Sequence, residues 1–580
     1  MPSASPVREQ KAPAQNATVA MRLAEAFSRH GVTVTFGQSI PAAFHLACPE
    51  AGIHQVAYRQ ENMGGTMADG YARISHRAGV VTAQNGPAAT LLVPPLAEAR
   101  TVGIPIVALV QEVASATADK NAFQELDHFR LFDGVAKLVR RIDRADRVED
   151  YVDMAFATAM SGRPGPVVLL VPADLLLEKA AAPSHRKAKY HVFPLDRTAA
   201  DPSRLAEAAK VIARAKRPVV IAGGGVHVSG AAAELANLQE LAHLPVATTF
   251  MGKGSVSENH PLSLGVVGNT MGLGARSHEL RDMVTKADVV LLVGNRTNQN
   301  GTDSWTLYPR DAQYIHIDID PQEIGRNYEA LRLAGDAKLT LAALCDALRK
   351  EDLGDRKRTR ANIEATIKTA VTRWSKLVEG VTTRDGGPVR PERVAMEIDK
   401  RMPEDGIMVA DASYSSNWIN IYMTARRAGQ RFLTPRGLAG LGWGVPMAIG
   451  AHTASPDKRV VCLCGDGGFA HSWAELETLA RIGAPVTVVV LNNGILGFQK
   501  HAEDAKYGDH TNACDFANVD HAAIARACGI SGTRISRGED FGPALDAAFA
   551  SGKPALIEVM TDPEAKPPLT MYQGHYRDPF

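Results

Sequence analysis

A series of short runs, mostly apolar and rich in β-branched residues, constrains this chain more than any other feature. They include Val80–Thr82, Ile106–Val110, Val167–Val171, Pro218–Ile221, Val289–Val293, Ile315–Ile319, Val460–Cys464 and Val486–Leu491. Apart from Ile315–Ile319, which reads IHIDI, none alternates apolar with polar residues, so they read as strands covered on both faces, as in parallel sheets. The stretches between them carry the spacing of amphipathic helices. Strand–helix alternation along most of a chain gives the α/β class with doubly wound parallel sheets.

Two stretches interrupt the alternation. Residues 183–197 are basic and flanked by proline, and residues 351–390 are strongly charged, include a helix-like part and end in RDGGPVRP. Breaks near 190 and 370–390 divide the 580 residues into three α/β segments of ordinary domain size. The expected organisation is an N-terminal domain at 16–185, a central domain at 200–350, a C-terminal domain at 390–560 and a tail at 561–580.

Composition removes several classes of function. A hydrophobic share of 45% with 22% charged residues is that of a soluble globular protein. A formal net charge of +1 provides no global field to recruit nucleic acid or an anionic membrane. The basic runs HRKAK and RKRTR lack interleaved aromatics and read as solvated linker faces. No run of 18 apolar residues is present, so no membrane span is expected. The first 17 residues lack the apolar core of a signal peptide and read as a short disordered leader on a cytoplasmic protein. The six cysteines form no CxxC pair and read as small buried residues in a reducing compartment.

The segment VVCLCGDGGFAHSWAELETLARIGAPVTVVVLNNG carries the chemistry. A buried strand ends at Cys464, a loop Gly465-Asp466-Gly467-Gly468 follows, a helix is expected from about His471 to Ile482, and a second strand ends at Asn492-Asn493. Ligands of open α/β sheets bind beyond the carboxyl ends of strands. Asp466 and Asn493 stand just past two such ends, so they can converge although 27 residues separate them. One carboxylate and one amide oxygen suit a hard cation such as Mg²⁺, completed by phosphate oxygens, a carbonyl and water. Gly467 and Gly468 let backbone N–H groups approach a phosphate.

GDG followed at this interval by NN resembles the fingerprint of thiamine-diphosphate-dependent enzymes. The resemblance implies that Asp466, Asn493 and the carbonyl of Ile495 bind the metal, with Gly467 and Gly468 on the diphosphate. A second match is VAYRQENMGGTMADGYARISHRAGVVTAQNGPAAT, which resembles the family's strand–Glu–helix element. Glu61 stands at the activating glutamate beside the pyrimidine ring, Gly70-Tyr71-Ala72-Arg73 at the helix end, and Gly86 in the next loop at a cofactor-contact position. A carboxyl group in an apolar pocket shares a proton readily, as that role requires. Family organisation implies that Glu61 meets the cofactor of a second chain, hence at least a homodimer and by extension a homotetramer. The third match, TPRGLAGLGWGVPMAIGA, places Leu441 at the aliphatic wedge that bends the cofactor and the carbonyl of Ala439 against its amino group.

The central segments VVIAGGGVHVSG and VVLLVGNRTNQN resemble the central domain of the acetolactate synthase and pyruvate oxidase group, whose members bind FAD, ADP or coenzyme A there, or nothing. Gly223 and Gly224 follow a strand and can approach a pyrophosphate, and Arg163 matches a position that touches the nucleotide. Resemblance extends over residues 16–560 and is nearest the acetolactate synthase large subunit. AFQELD places Phe123 and Gln124 at the active-site mouth. Departures gather around specificity. Phe36-Gly37-Gln38-Ser39-Ile40-Pro41 replaces the family's FGxPGG, Ala502 replaces a tryptophan, and Phe498, His501 and Glu503 stand in an atypical loop after the expected metal site. Gln38, Phe123, Gln124, Phe498, His501 and Glu503 are therefore the substrate candidates. The expected activity is an acetolactate-synthase-like carboligase or decarboxylase on 2-oxo acids. The alternative is a carbon–carbon lyase acting on 2-hydroxyacyl-CoA, and intact Glu61, Asp466 and Asn493 speak against a non-catalytic paralogue.

Overall fold

The computed structural model describes residues 17–183 and 185–573. All but the last residue of the 17-residue leader, and the end of the tail, therefore lie outside the described residues. The described chain forms three six-stranded sheets in which every strand pairs in parallel with its neighbours. The first holds β1 (Val34–Phe36), β2 (His54–Val56), β3 (Gly79–Ala83), β4 (Ile106–Glu112), β5 (Leu138–Arg141) and β6 (Val167–Pro172), in the order β2-β1-β3-β4-β6-β5. The second holds β7 (Pro218–Ala222), β8 (Val246–Thr248), β9 (Ser263–Val266), β10 (Val289–Val293), β11 (Gln313–Asp318) and β12 (Ala330–Ala334), in the order β9-β8-β7-β10-β11-β12. The third holds β13 (Ile407–Ala410), β14 (Arg431–Leu433), β15 (Val460–Gly465), β16 (Thr487–Asn492), β17 (Ser531–Ile535) and β18 (Ala555–Met560), in the order β14-β13-β15-β16-β18-β17.

Counted from its own first strand, the first sheet runs 2-1-3-4-6-5 and so does the third. The middle sheet runs 3-2-1-4-5-6, the order of dinucleotide-binding domains. Central strands such as β3, β10 and β13 are buried along their whole length, as their unbroken apolar runs require.

Two helices join the outer domains. Glu61–Ser75 follows β2, and Gly444–Ala454 follows β14. They pack so closely that a Cβ on Gly70 would stand 2.3 Å from the carbonyl oxygen of Met447, and one on Gly450 would stand 2.0 Å from that of Met67. A glycine on each helix thus admits the backbone of the other.

Two expectations are corrected here. The charged stretch read as a linker is largely a 29-residue helix, Gly354–Thr382. Its apolar side is sparse, yet Ile367, Ala370 and Val378 are buried against the neighbouring domains. RKRTR is a solvated face only in part, since Lys357, Arg358 and Thr359 are exposed but its two ends are held. Arg356 is buried, and Arg360 pairs with Glu240 and Glu364 at 2.6 Å.

Candidate active site

The C-terminal pocket opens where the third sheet reverses direction, between β13 and β15. Asp411–Ser415 leave β13, Gly465–Gly468 leave β15, and Asn493–Phe498 leave β16, and all three segments line it together with Leu441. The glycine-rich segment after Gly465 is not an open loop. Asp466 begins a one-turn helix, Asp466–Phe469, and the expected long helix is divided into a 3₁₀ turn at Ala470–Ser472 and a helix at Glu475–Ile482. Packing on the glycines explains the tight turn. A Cβ on Gly467 would stand 2.7 Å from the Phe516 ring, and one on Gly468 would stand 2.4 Å from Asp411 Oδ2.

Asp466 is 5% exposed, and its Oδ2 accepts the Gly494 N–H at 2.9 Å. Burial pushes its carboxyl up to about 6, against backbone N–H groups of Gly494, Gly467 and Asn493 that act the other way. Among the described residues no lysine, arginine or histidine forms an ion pair with it. The Asn493 side-chain oxygen accepts the Ile495 N–H at 3.3 Å, which folds the turn carrying the Ile495 carbonyl. A buried carboxylate without a cationic side chain, facing an amide oxygen and a turn carbonyl, is a donor set that fits a hard divalent cation.

Asp411, Tyr414 and Ser415 also form this wall, and sequence reasoning missed them. Asp411 is buried and accepts from the N–H groups of Ala412 at 2.8 Å, Gly442 at 2.9 Å and Trp443 at 3.2 Å. Burial pushes its carboxyl up to about 6. Its bonds fold the segment that presents Leu441 to the pocket, just after Ala439, whose φ of +61° is left-handed. The signal for Asp411 was the apolar run IMVA ending in an aspartate, a third strand end beside those of Asp466 and Asn493. Arg436 stands behind this wall, half-buried. It donates to the Ser413 carbonyl at 3.1 Å and to the Ser416 hydroxyl, and it lies 4.6 Å from the Phe250 ring centroid.

The substrate candidates separate. Phe498 lines the pocket and packs edge-on against Tyr414, with centroids 5.7 Å apart. His501 is buried behind it. Its Nε2 lies 3.0 Å from the Pro563 carbonyl, so Nε2 carries the proton and Nδ1 accepts from the Tyr414 hydroxyl at 3.0 Å. Tyr572 reaches the same Tyr414 hydroxyl from the tail. Glu503 turns away and accepts from the Thr511 N–H at 2.8 Å. The structure brings neither His501 nor Glu503 into the pocket.

Glu61 is the first residue of its helix and half-buried, and it does not line the pocket of its own chain. Gln38 lies nearby and donates to the Arg59 carbonyl at 2.8 Å. Gly86, Phe123 and Gln124 come together after β3 and β4, at the same carboxyl edge of the N-terminal sheet. The Gly86 N–H donates to His128 Nε2 at 3.2 Å, Asn85 donates to the Gln124 carbonyl at 2.8 Å, and the Phe123 side chain is 84% exposed. Behind them His128 bonds Glu112 at 3.2 Å, and Arg141 pairs with the same carboxylate.

The central sheet has its own crevice at its reversal point, between β7 and β10. Gly223 and Gly224 line it after β7, Gly294 and Arg296 after β10, and Asp318 at the end of β11. Arg163 enters from the N-terminal domain and Arg436 from the C-terminal one. Arg163 is bound to Asp320 and Glu323 at 3.0 Å and to the Thr101 carbonyl at 2.7 Å. Burial raises Asp318 to about 6.

Comparison with known proteins agrees with this division. The model of the thiamine pyrophosphate enzyme N-terminal TPP-binding domain matches residues 17–131, that of the central domain 205–344, and that of the C-terminal TPP-binding domain 411–559. The chain is similar to a probable acetolactate synthase large subunit of Methanococcus aeolicus, with 33% identity over 90% of this chain and 88% of that one. It is 32% identical to the corresponding protein of Methanocaldococcus jannaschii, over 94% and 92% of the two chains. An acetolactate synthase of Arthrospira platensis is 30% identical over 95% and 96%.

Proposed function

Because this chain belongs to the thiamine pyrophosphate enzyme family, we propose that it is a thiamine-diphosphate-dependent carboligase that acts on 2-oxo acids, as an acetolactate synthase does. The observation that carries the reading is the pocket at the β13–β15 reversal, where a buried Asp466, with no cationic side chain paired to it among the described residues, stands with Asn493 and Ile495. Asp466, Asn493 and the Ile495 carbonyl would hold Mg²⁺, with Gly467 and Gly468 beside the diphosphate. Leu441 and Ala439 would support the cofactor's central bend. When bound, the cofactor supplies an electron sink for loss of carbon dioxide from a 2-oxo acid and for joining the remaining carbon to a second carbonyl.

The residues of the chain divide the remaining work. Glu61 would stand beside the cofactor ring and exchange a proton with it through its carboxyl group. Asp466 brings negative charge to the cation and so to the diphosphate. Phe498 and Tyr414 form an apolar wall that excludes water near the metal end. Gln38, Phe123 and Gln124 stand on the N-terminal domain, where they would meet substrate. Since Glu61 does not line the pocket of its own chain, we take it to serve the pocket of a second copy, in a homodimer that can pair into a tetramer. Exposed Leu46, Leu91, Phe123, Leu126 and Phe129 on the same domain support a covered face.

The central crevice fits an adenine nucleotide, FAD or ADP. Its support is the 3-2-1-4-5-6 strand order, the pocket at the reversal point and the arginines beside it. An absorption spectrum of the purified protein separates the two, since only the flavin absorbs visible light.

Incubation with thiamine diphosphate, Mg²⁺ and a panel of 2-oxo acids, read by mass spectrometry, tests the activity. Release of carbon dioxide with a new carbon–carbon bond is expected. Turnover of 2-hydroxyacyl-CoA substrates alone would replace this reading by the lyase.

A further inference from the structure

Two glutamates outside the pocket grip backbone on which the site depends. Glu98 lies in the helix Val93–Val102, which follows β3, and is 2% exposed. Its Oε1 accepts the Gly437 N–H at 2.8 Å and Arg73 at 3.4 Å, and its Oε2 accepts the Leu438 N–H at 2.5 Å. Glu475 begins the helix Glu475–Ile482, which follows β15, and is fully buried. Its Oε1 accepts the N–H groups of Arg59 at 3.0 Å and Gln60 at 3.2 Å, and its Oε2 accepts the Thr478 hydroxyl at 2.7 Å.

The two arrangements are copies of one another. β3 and β15 are the third strands of the two sheets that share the 2-1-3-4-6-5 order. The gripped segments are equivalent too: each joins a second strand, β2 or β14, to the helix that follows it. In both cases the carboxylate crosses to the other outer domain of the same chain. Each takes two consecutive N–H groups, which would be costly to bury unpaired. Gln60, the cap residue of the Glu61 helix, has no side-chain cap of its own, so Glu475 supplies one from the opposite domain. Bonds from N–H to a buried carboxylate are stronger than neutral ones, so each segment is held firmly.

What the segments carry gives the grip its purpose. Gln60 is followed at once by Glu61, and Leu438 by Ala439 and then Leu441. We propose that Glu98 and Glu475 are a reciprocal pair of positioning residues, Glu475 fixing Glu61 and Glu98 fixing the Ala439–Leu441 segment, so that each outer domain sets the catalytic geometry of the other. The inference rests on the roles given above to Glu61, Ala439 and Leu441.

Hydrogen-bond chemistry makes the two substitution series differ. In Glu475→Gln one oxygen still accepts both N–H groups, and the new amide donates to Thr478, whose hydroxyl can accept. In Glu98→Gln the amide must face a donor whichever way it turns, because N–H groups occupy both oxygens. The test is amide hydrogen exchange by mass spectrometry on the holoenzyme, over peptides covering 57–62 and 435–443, alongside kcat and the KM for thiamine diphosphate. Glu475→Ala is expected to speed exchange at Arg59 and Gln60 by about tenfold. It should also lower kcat by about a hundredfold with little change in cofactor KM. Glu475→Gln should restore both. Glu98→Ala and Glu98→Gln should both speed exchange at Gly437 and Leu438 and raise cofactor KM, leaving Arg59 and Gln60 unchanged.

Unchanged exchange at those four N–H groups would overturn the proposal whatever the turnover. So would Glu475→Gln as impaired as Glu475→Ala, or exchange raised evenly through both domains. The earlier reading of Glu61 fails by a different sign, a fully active Glu61→Gln enzyme whose exchange pattern is that of the parent.

Discussion

In the proposed site Asp466 and Glu61 would place a carboxylate at opposite ends of the chemistry, and their surroundings differ. Asp466 is buried against N–H groups, which cover only part of the cost of a charge removed from water. In the proposed site a bound cation would supply the remainder. Replacement of Asp466 by alanine should therefore abolish metal-dependent retention of thiamine diphosphate, and a fluorescence titration of the variant would read the lost affinity. Removal of divalent ions by a chelator should do the same to the parent protein, and added Mg²⁺ should restore binding. Equal affinity with and without metal would end the site assignment. Glu61, by contrast, begins a helix and keeps its place through backbone bonds. Glu61→Gln preserves volume and should fold and bind cofactor normally. Loss of a positioned acid–base group should lower turnover by about 10²- to 10⁴-fold, measured as kcat under saturating cofactor.

The close crossing of the helices Glu61–Ser75 and Gly444–Ala454 is the element on which the outer domains meet. A methyl group on Gly450 would enter space already filled by the backbone of Met67, and backbone cannot swing aside as a side-chain tip can. Gly450→Ala should cost about 1–3 kcal/mol or more by overpacking. Chemical unfolding would read this as a lower midpoint. A midpoint equal to that of the parent would mean that the helices are free to separate. Elements also mark the limit of what the chain discloses on paper. β3, β4, β6, β10 and β15 were legible because two-sided burial leaves an unbroken apolar run. The edge strands β5 and β17 were not, because LVRR and SGTRI carry exposed charge along them. The helix Gly354–Thr382 reads only as a helix-like part of a linker, because few of its residues are buried. Asp466, Asn493 and Glu61 stood out because each sits in a dense local pattern at a strand or helix end. Glu98 and Glu475 have no such pattern. Their partners lie more than 300 positions away, and only the packed fold brings them together. His501 misled for the opposite reason, since its place near the metal segment said nothing of the carbonyl and hydroxyl that occupy both its ring nitrogens.

At the scale of the whole molecule the question is which chain supplies the glutamate to which pocket. The pocket carrying Asp466 and the helix carrying Glu61 belong to one chain, but Glu61 is not among the residues lining that pocket. If the site is completed by a second copy, each dimer has two sites, each made of one chain's Asp466 and the other's Glu61. Glu61→Gln and Asp466→Ala homodimers would then both be inactive. A mixed dimer is different: one of its sites combines both damaged residues and the other combines both intact ones. Co-expression in equal amounts should pair the two chains at random, so half the dimers are mixed and about a quarter of parental activity returns. Separate tags on the two chains would let the mixed species be purified, and it should hold about half the parental turnover per dimer. Were Glu61 to act within its own chain, every site in every combination would carry a damaged residue, and no mixture would recover activity. The measurement thus separates the two architectures without any knowledge of the natural substrate, provided only that one 2-oxo acid is turned over.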